Sequence, residues 1–84
     1  AVLMDHPHVR EAALVAVPDP RWGEVGRAIV VARGPLDPGA LLEFARGRLA
    51  HYKVPRSVVV VDALPRTAAG KLDRRALAVA HGAP

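Results

Sequence analysis

Runs of apolar side chains, and the period with which they recur, divide the chain into elements. Residues 12–17 form an unbroken aliphatic run that stops at Pro18-Asp19-Pro20, where a strand ladder cannot continue. Residues 26–32 form a second run, closed by Gly34-Pro35. Between them Asp19-Pro20-Arg21-Trp22-Gly23-Glu24 is polar, which predicts an antiparallel hairpin with a long connection of functional character. The period then changes. After Asp37-Pro38, an N-cap followed by a proline suited to the first helical turn, Leu41, Leu42, Ala45 and Leu49 recur at helical spacing. A helix ending near Ala50 is expected. Val58-Val59-Val60-Val61 is β-branched and lacks polar alternation, so it predicts a central strand covered on both faces. Asp73 should begin a short final helix reaching about Ala80, anchored by Leu72, Leu77 and Val79. Val2-Leu3-Met4 reads as the tail of a further helix.

The order is helix tail, strand, strand, helix, strand, basic loop, helix. It predicts one α+β domain over residues 1–84: a small three-stranded, mainly antiparallel sheet with helices packed on it as a two-layer sandwich. At 84 residues the chain is below the size at which domains split, and it has no cysteine to staple it. Its core must therefore rest on packing or be supported by something larger. The chain starts at alanine and reads as a piece of a longer cytoplasmic protein. No apolar run reaches the roughly 20 residues that a membrane span requires.

Charge sharpens this picture. Residues 1–45 carry four basic and six acidic side chains, whereas residues 46–75 carry eight basic and two acidic, so the second half is strongly positive. Such a field attracts phosphate. Nucleic-acid binders usually add aromatic stacking platforms, and this chain has three aromatic residues in all, so nucleic acid is not the expected partner. His6, His8, His51 and His81 share no ligand-like spacing, so no metal site is expected and they read as surface or capping residues. Arg74 and Arg75 are placed to pair with carboxylates on another domain.

One lysine stands apart. The chain has two lysines and ten arginines, and Lys71 follows Ala68-Ala69-Gly70 directly. A flexible loop of that kind, with Gly70 supplying backbone freedom, extends an ammonium into an anionic site while staying tethered to the fold.

Four stretches together resemble the small C-terminal domain of adenylate-forming enzymes, the family of acyl- and aryl-CoA synthetases, luciferases and peptide-synthetase adenylation domains. They are His6-Pro7-His8-Val9 leading into Glu11-Ala12-Ala13; Val17-Pro18-Asp19-Pro20-Arg21-Trp22-Gly23-Glu24; Leu49-Ala50-His51-Tyr52-Lys53-Val54-Pro55-Arg56; and Leu64-Pro65-Arg66-Thr67-Ala68-Ala69-Gly70-Lys71. They occur in the family's order and cover roughly residues 2–77.

The resemblance implies a two-step reaction in a larger protein. An acid and ATP give an acyl-adenylate and pyrophosphate, and a thiol then displaces AMP. A large N-terminal domain of the same chain would hold most of the ATP and acid sites, with Mg2+ expected there. The small domain would swing between two orientations. Lys71 matches the lysine that enters the active site for adenylation, between the acid's carboxylate and the α-phosphate. A cation about 4 Å from such an anion contributes on the order of 4 kcal/mol at an effective dielectric near 20. Lysine suits the task as a compact charge on a long stem.

For the second step the resemblance assigns Trp22 and Tyr52 to stacking around the CoA adenine, and Arg56 to the CoA phosphates. Lys53 is either a CoA-facing charge or a surface residue. Two positions depart from the family pattern: Ala69 replaces a common Ser or Thr, and Val54 stands where some relatives carry a basic residue. The reading favoured is an acyl-CoA synthetase acting on a fatty acid or another carboxylate. The acid pocket belongs to the larger domain, so fatty (including long-chain), aryl and small acids stay open, a fatty acid being favoured by how common such enzymes are. A peptide-synthetase-type domain loading a carrier protein is the alternative, and a non-catalytic basic interaction module is the second.

Overall fold

The computed structural model describes residues 2–84. Two strands open the fold: β1 (Val9–Asp19) and β2 (Gly23–Ala32) pair as an antiparallel hairpin. Helix α1 (Pro38–Arg46) follows, then a 3-10 turn (His51–Lys53), strand β3 (Ser57–Val61) and helix α2 (Arg74–His81). Val2-Leu3-Met4, expected as a helix tail, belongs to a single 3-10 turn (Val2–Asp5).

The sheet order is β1-β2-β3, with β3 parallel to β2. This corrects the expectation for residues 58–61. The central strand is β2, where Ala28, Ile29 and Val30 are fully buried, and the valine run forms an edge with Val60 exposed. Parallel neighbours need a crossover, and α1 supplies it between β2 and β3. A continuous apolar run marks burial on both faces; two runs here fit that description, and the crossover puts the first of them in the middle.

The α+β expectation of a three-stranded, mainly antiparallel sheet with helices packed on it holds, with α2 against one face and α1 against the other. On one face Ala13, Val15, Val17, Ile29 and Val31 pack with Leu64 and with Leu77 of α2. On the other, Ala28 and Val30 pack with Leu41 and Ala45 of α1 and with Leu3. Alternation along the strands divides these two sets, as the period-2 geometry requires. A register shift between Val9 and Glu11 leaves Arg10 as the extra residue. It moves Val9 onto the α1 face while Ala13, Val15 and Val17 stay on the α2 face.

Both helices start as expected. The Asp37 carboxylate accepts from the Ala40 N–H at 2.9 Å, and the Asp73 carboxylate accepts from the Ala76 N–H at 2.9 Å. Helix α1 stops at Arg46, a turn earlier than its apolar spacing suggests, because the chain turns at Gly47 and Leu49 still packs from outside the helix. Helix α2 is closed from β2: the Arg27 guanidinium donates to the carbonyls of His81 and Ala83, both at 2.7 Å. Val79, expected as an anchor, is 82% exposed, leaving Leu77 to carry the burial of α2.

Candidate functional site

The hairpin connection is shorter than its composition suggests. Asp19 pairs with Gly23, so only Pro20, Arg21 and Trp22 lie outside the ladder, and Gly23 takes a φ of 81° that a side chain would resist. The Asp19 carboxylate closes the turn by accepting from the backbone N–H groups of Arg21 at 2.8 Å and Trp22 at 2.9 Å. These bonds, the Trp22 N–H foremost, hold the Asp19 carboxyl below its ordinary value, and the nearby Arg56 charge adds to the effect. The result presents the Trp22 ring outward, 59% exposed, with the Arg21 guanidinium 5.0 Å from its centroid.

Tyr52 lies in the 3-10 turn after α1 and is 82% exposed. Neither ring is a core piece. Arg56 is fixed by its backbone, whose N–H donates to the Gly26 carbonyl of β2 at 2.8 Å. Trp22, Tyr52 and Arg56 line one groove of about 450 Å3, together with Arg46, His51 and Glu24. Three of the residues expected to meet CoA are thus brought together.

Lys53 is not among them. Residues in a 3-10 turn point about 120° apart, and Lys53 lines a separate, mainly apolar depression with Leu14, Leu49 and Arg74. Arg46 and His51 are groove residues to which the sequence assigned no binding role, His51 being read as a surface or capping residue. The adjacency of His51 to Tyr52 was the signal for one of them; nothing local marks Arg46.

Lys71 lies elsewhere, in a turn built by hydrogen bonds. Arg66 and Leu72 bridge as an antiparallel pair, the Thr67 N–H donates to the Lys71 carbonyl at 2.8 Å, and the Gly70 N–H donates to the Thr67 carbonyl at 2.9 Å. Gly70 has a φ of 84°, the left-handed conformation that closes such a turn. The expected loose Ala-Ala-Gly run is therefore a defined hairpin tip, and Gly70 serves its shape. Leu64 is buried below it, Leu72 packs against the same core cluster, and the Asp73 N–H donates to the Pro65 carbonyl at 2.9 Å. The turn is thereby joined to the start of α2. Lys71 is exposed and lines neither depression.

The two regions occupy opposite ends of the β1–β2 hairpin. Trp22 sits at its closed end, while Arg66 of the Lys71 turn pairs with Glu11 near its open end. Among the described residues no three His, Cys, Asp or Glu side chains cluster as metal ligands, and no helix is long and apolar enough to cross a membrane.

The family described as the AMP-binding enzyme C-terminal domain matches residues 1–71. The chain belongs to that family. It is 49% identical over 77 residues to a 2-succinylbenzoate–CoA ligase of Bacillus licheniformis, a match that covers 92% of this chain and 16% of that ligase. It is 53% identical over 72 residues to a feruloyl-CoA synthase of an Amycolatopsis species, covering 83% of this chain and 15% of the synthase. Its fold superposes on a Mycobacterium tuberculosis fatty acyl CoA synthetase with a TM-score of 0.90 at 35% identity, over 99% of this chain and 17% of that structure. The AMP-binding C-terminal domain described here thus spans about a sixth of the length of such relatives.

Proposed function

We propose that residues 1–84 are the mobile C-terminal domain of an ATP-dependent, AMP-forming acyl-CoA synthetase whose N-terminal domain precedes them in the same chain. The observation that carries this reading is the separation of two unlike surfaces on one small fold. At one end a stiff turn projects a lone lysine. At the other a groove gathers two exposed aromatic rings and an arginine. A domain that serves two half-reactions in two orientations needs such a division.

In the first half-reaction a carboxylate oxygen attacks the α-phosphorus of ATP and pyrophosphate leaves. The Lys71 ammonium draws the two anions together and stabilises the charge that builds on the phosphoryl oxygens. A pre-positioned cation of this kind acts mainly on the transition state, so it raises rate more than affinity. In the second, the thiol of CoA loses its proton, its sulfur attacks the acyl carbonyl, and AMP leaves. Trp22 and Tyr52 flank the adenine of CoA and Arg56 meets its phosphates. Lys53 lines the neighbouring apolar depression, and its Nζ lies 5.8 Å from the Tyr52 ring centroid, where it adds positive charge beside the groove.

The acid is not encoded in this domain. A succinylbenzoate ligase, a feruloyl synthase and a fatty acyl synthetase all share it at 35–53% identity. The choice among fatty, aryl and small acids is assigned to the N-terminal domain, which would also hold Mg2+. ATP and CoA are the proposed co-substrates, with a cytoplasmic site of action. The test is Lys71→Ala in the full-length protein. Acyl-adenylate formation, read by pyrophosphate exchange, should fall by about a hundredfold or more, while thioester formation from supplied adenylate continues. Equal loss of both half-reactions would refute the assignment.

A further inference from the structure

The base of the Lys71 turn is held by packing, but its tilt over the sheet is held by charge. Leu64 and Leu72 seat the turn in the core, and a single antiparallel bridge, Arg66 to Leu72, forms its ladder. The backbone hydrogen bonds that stiffen the turn (Thr67 to Lys71, Gly70 to Thr67, Asp73 to Pro65) all close within it and none reaches the sheet. Its angle to β1 therefore rests on non-directional apolar contacts and on whatever polar contact is made to the strand. One further contact reaches from the turn to the sheet: the Arg66 guanidinium donates to the Glu11 carboxylate, 55 positions earlier in the sequence. Of the ion pairs among the described residues, this one joins distant elements, whereas Glu43–Arg46 is local to α1.

Glu11 continues the regular hairpin register, opposite Val31. It is the last residue of the β1 alternation that puts Ala13, Val15 and Val17 beneath the turn, before the shift at Arg10 moves Val9 to the other face. The Glu11 side chain is 33% exposed and that of Arg66 is 45% exposed, so water only partly screens the pair. As a contribution to stability such a pair is worth little. Its effect on geometry is larger, since it fixes Arg66, the residue cross-paired with Leu72 one step from Lys71.

We infer that Glu11 is a positioning residue for adenylation: through Arg66 it sets the angle at which the turn presents Lys71. The pair also neutralises Arg66, leaving Lys71 as the uncompensated cation at the tip. This inference rests on the adenylation role proposed for Lys71, and the Thr67 hydroxyl supports it by accepting from the Lys71 N–H at 3.3 Å.

The test uses the full-length enzyme with Glu11→Gln, Arg66→Met, the charge-swapped double variant Glu11→Arg/Arg66→Glu, and Lys71→Ala as reference. Glu11→Gln and Arg66→Met should each lower kcat for pyrophosphate exchange about tenfold, the size of effect a sub-ångström misplacement produces. The KM for ATP, thioester formation from supplied adenylate and Tm should stay near wild type, and the charge swap should recover most of the lost rate. Loss in Arg66→Met with none in Glu11→Gln would mean that Arg66 meets the nucleotide itself, and would overturn the inference. Equal loss in both half-reactions, or no recovery by the swap, would overturn it too. If Lys71→Ala leaves pyrophosphate exchange intact, the proposed adenylation role fails, and this inference with it.

Discussion

The Lys71 turn and the Trp22–Tyr52 groove are both exposed and both cationic, yet they are built in opposite ways. The turn is fixed by its backbone: paired N–H and C=O groups, a left-handed glycine, two leucines in the core and an ion pair to β1. The groove is assembled from side chains on the hairpin turn, β2, α1, the 3-10 turn and the segment before β3, with Tyr52 in a 3-10 turn that has no side-chain cap. The difference follows from what each is proposed to do. Stabilising a transition state demands placement within a fraction of an ångström, whereas an aromatic platform for a base tolerates adjustment.

The sharpest way to break this comparison is to weaken each support separately. Leu77 and Leu41 are both fully buried, one under each face of the sheet. Leu77→Ala and Leu41→Ala should each cost about 2–5 kcal/mol in denaturant unfolding. Hydrogen exchange in the folded state should then separate them. Amides of residues 64–73 should speed up in the first variant and those of residues 49–54 in the second. Acceleration of both segments in both variants would mean that the two regions share one support.

Trp22→Ala and Tyr52→Ala address the platform. Each should raise the KM for CoA by roughly ten- to a hundredfold, as loss of one stacking partner worth about 1–3 kcal/mol implies, with pyrophosphate exchange unchanged. Gly70→Val addresses the turn. Forcing a β-branched residue to a positive φ costs about 1–3 kcal/mol, so the tip should distort and adenylation should slow while the KM for CoA holds. No Cβ clash complicates that result, since nothing lies within 4 Å of the added atom.

The smallest effect concerns Asp19. Its folded value lies below the ordinary 3.8, so the stability it contributes is present above that value and is lost as pH falls through the lower folded one. A titration followed by NMR on the Asp19 carboxyl should show a midpoint below that of a typical aspartate, and the Trp22 amide shift should move with it. A midpoint at or above the ordinary value would remove the turn-closing role.

Much of this was legible in the chain. Asp37-Pro38 and Asp73 announced both helices, because caps are local and a side chain two or three residues from its partner is visible in sequence. Lys71, Trp22, Tyr52 and Arg56 stood out through short local motifs that resemble the family's, and the structure brings the last three to one groove. Strand order was not. Residues 28–31 and 58–61 are similar aliphatic runs, and only the crossover through α1 decides which becomes central. Nor did composition disclose that Ala68-Ala69-Gly70 is a shaped tip, since that shape depends on Thr67 and Lys71 closing around it. Glu11 and Arg66 lie 55 positions apart with nothing local to link them, and the bulge at Arg10 carries no glycine to mark it.

The most direct test measures both half-reactions in two variants of the full-length enzyme side by side. Lys71→Ala should abolish most pyrophosphate exchange and leave CoA transfer from supplied adenylate, while Trp22→Ala should do the reverse. That crossed pattern is the result predicted by two regions working in separate steps. Parallel losses in both variants would contradict it.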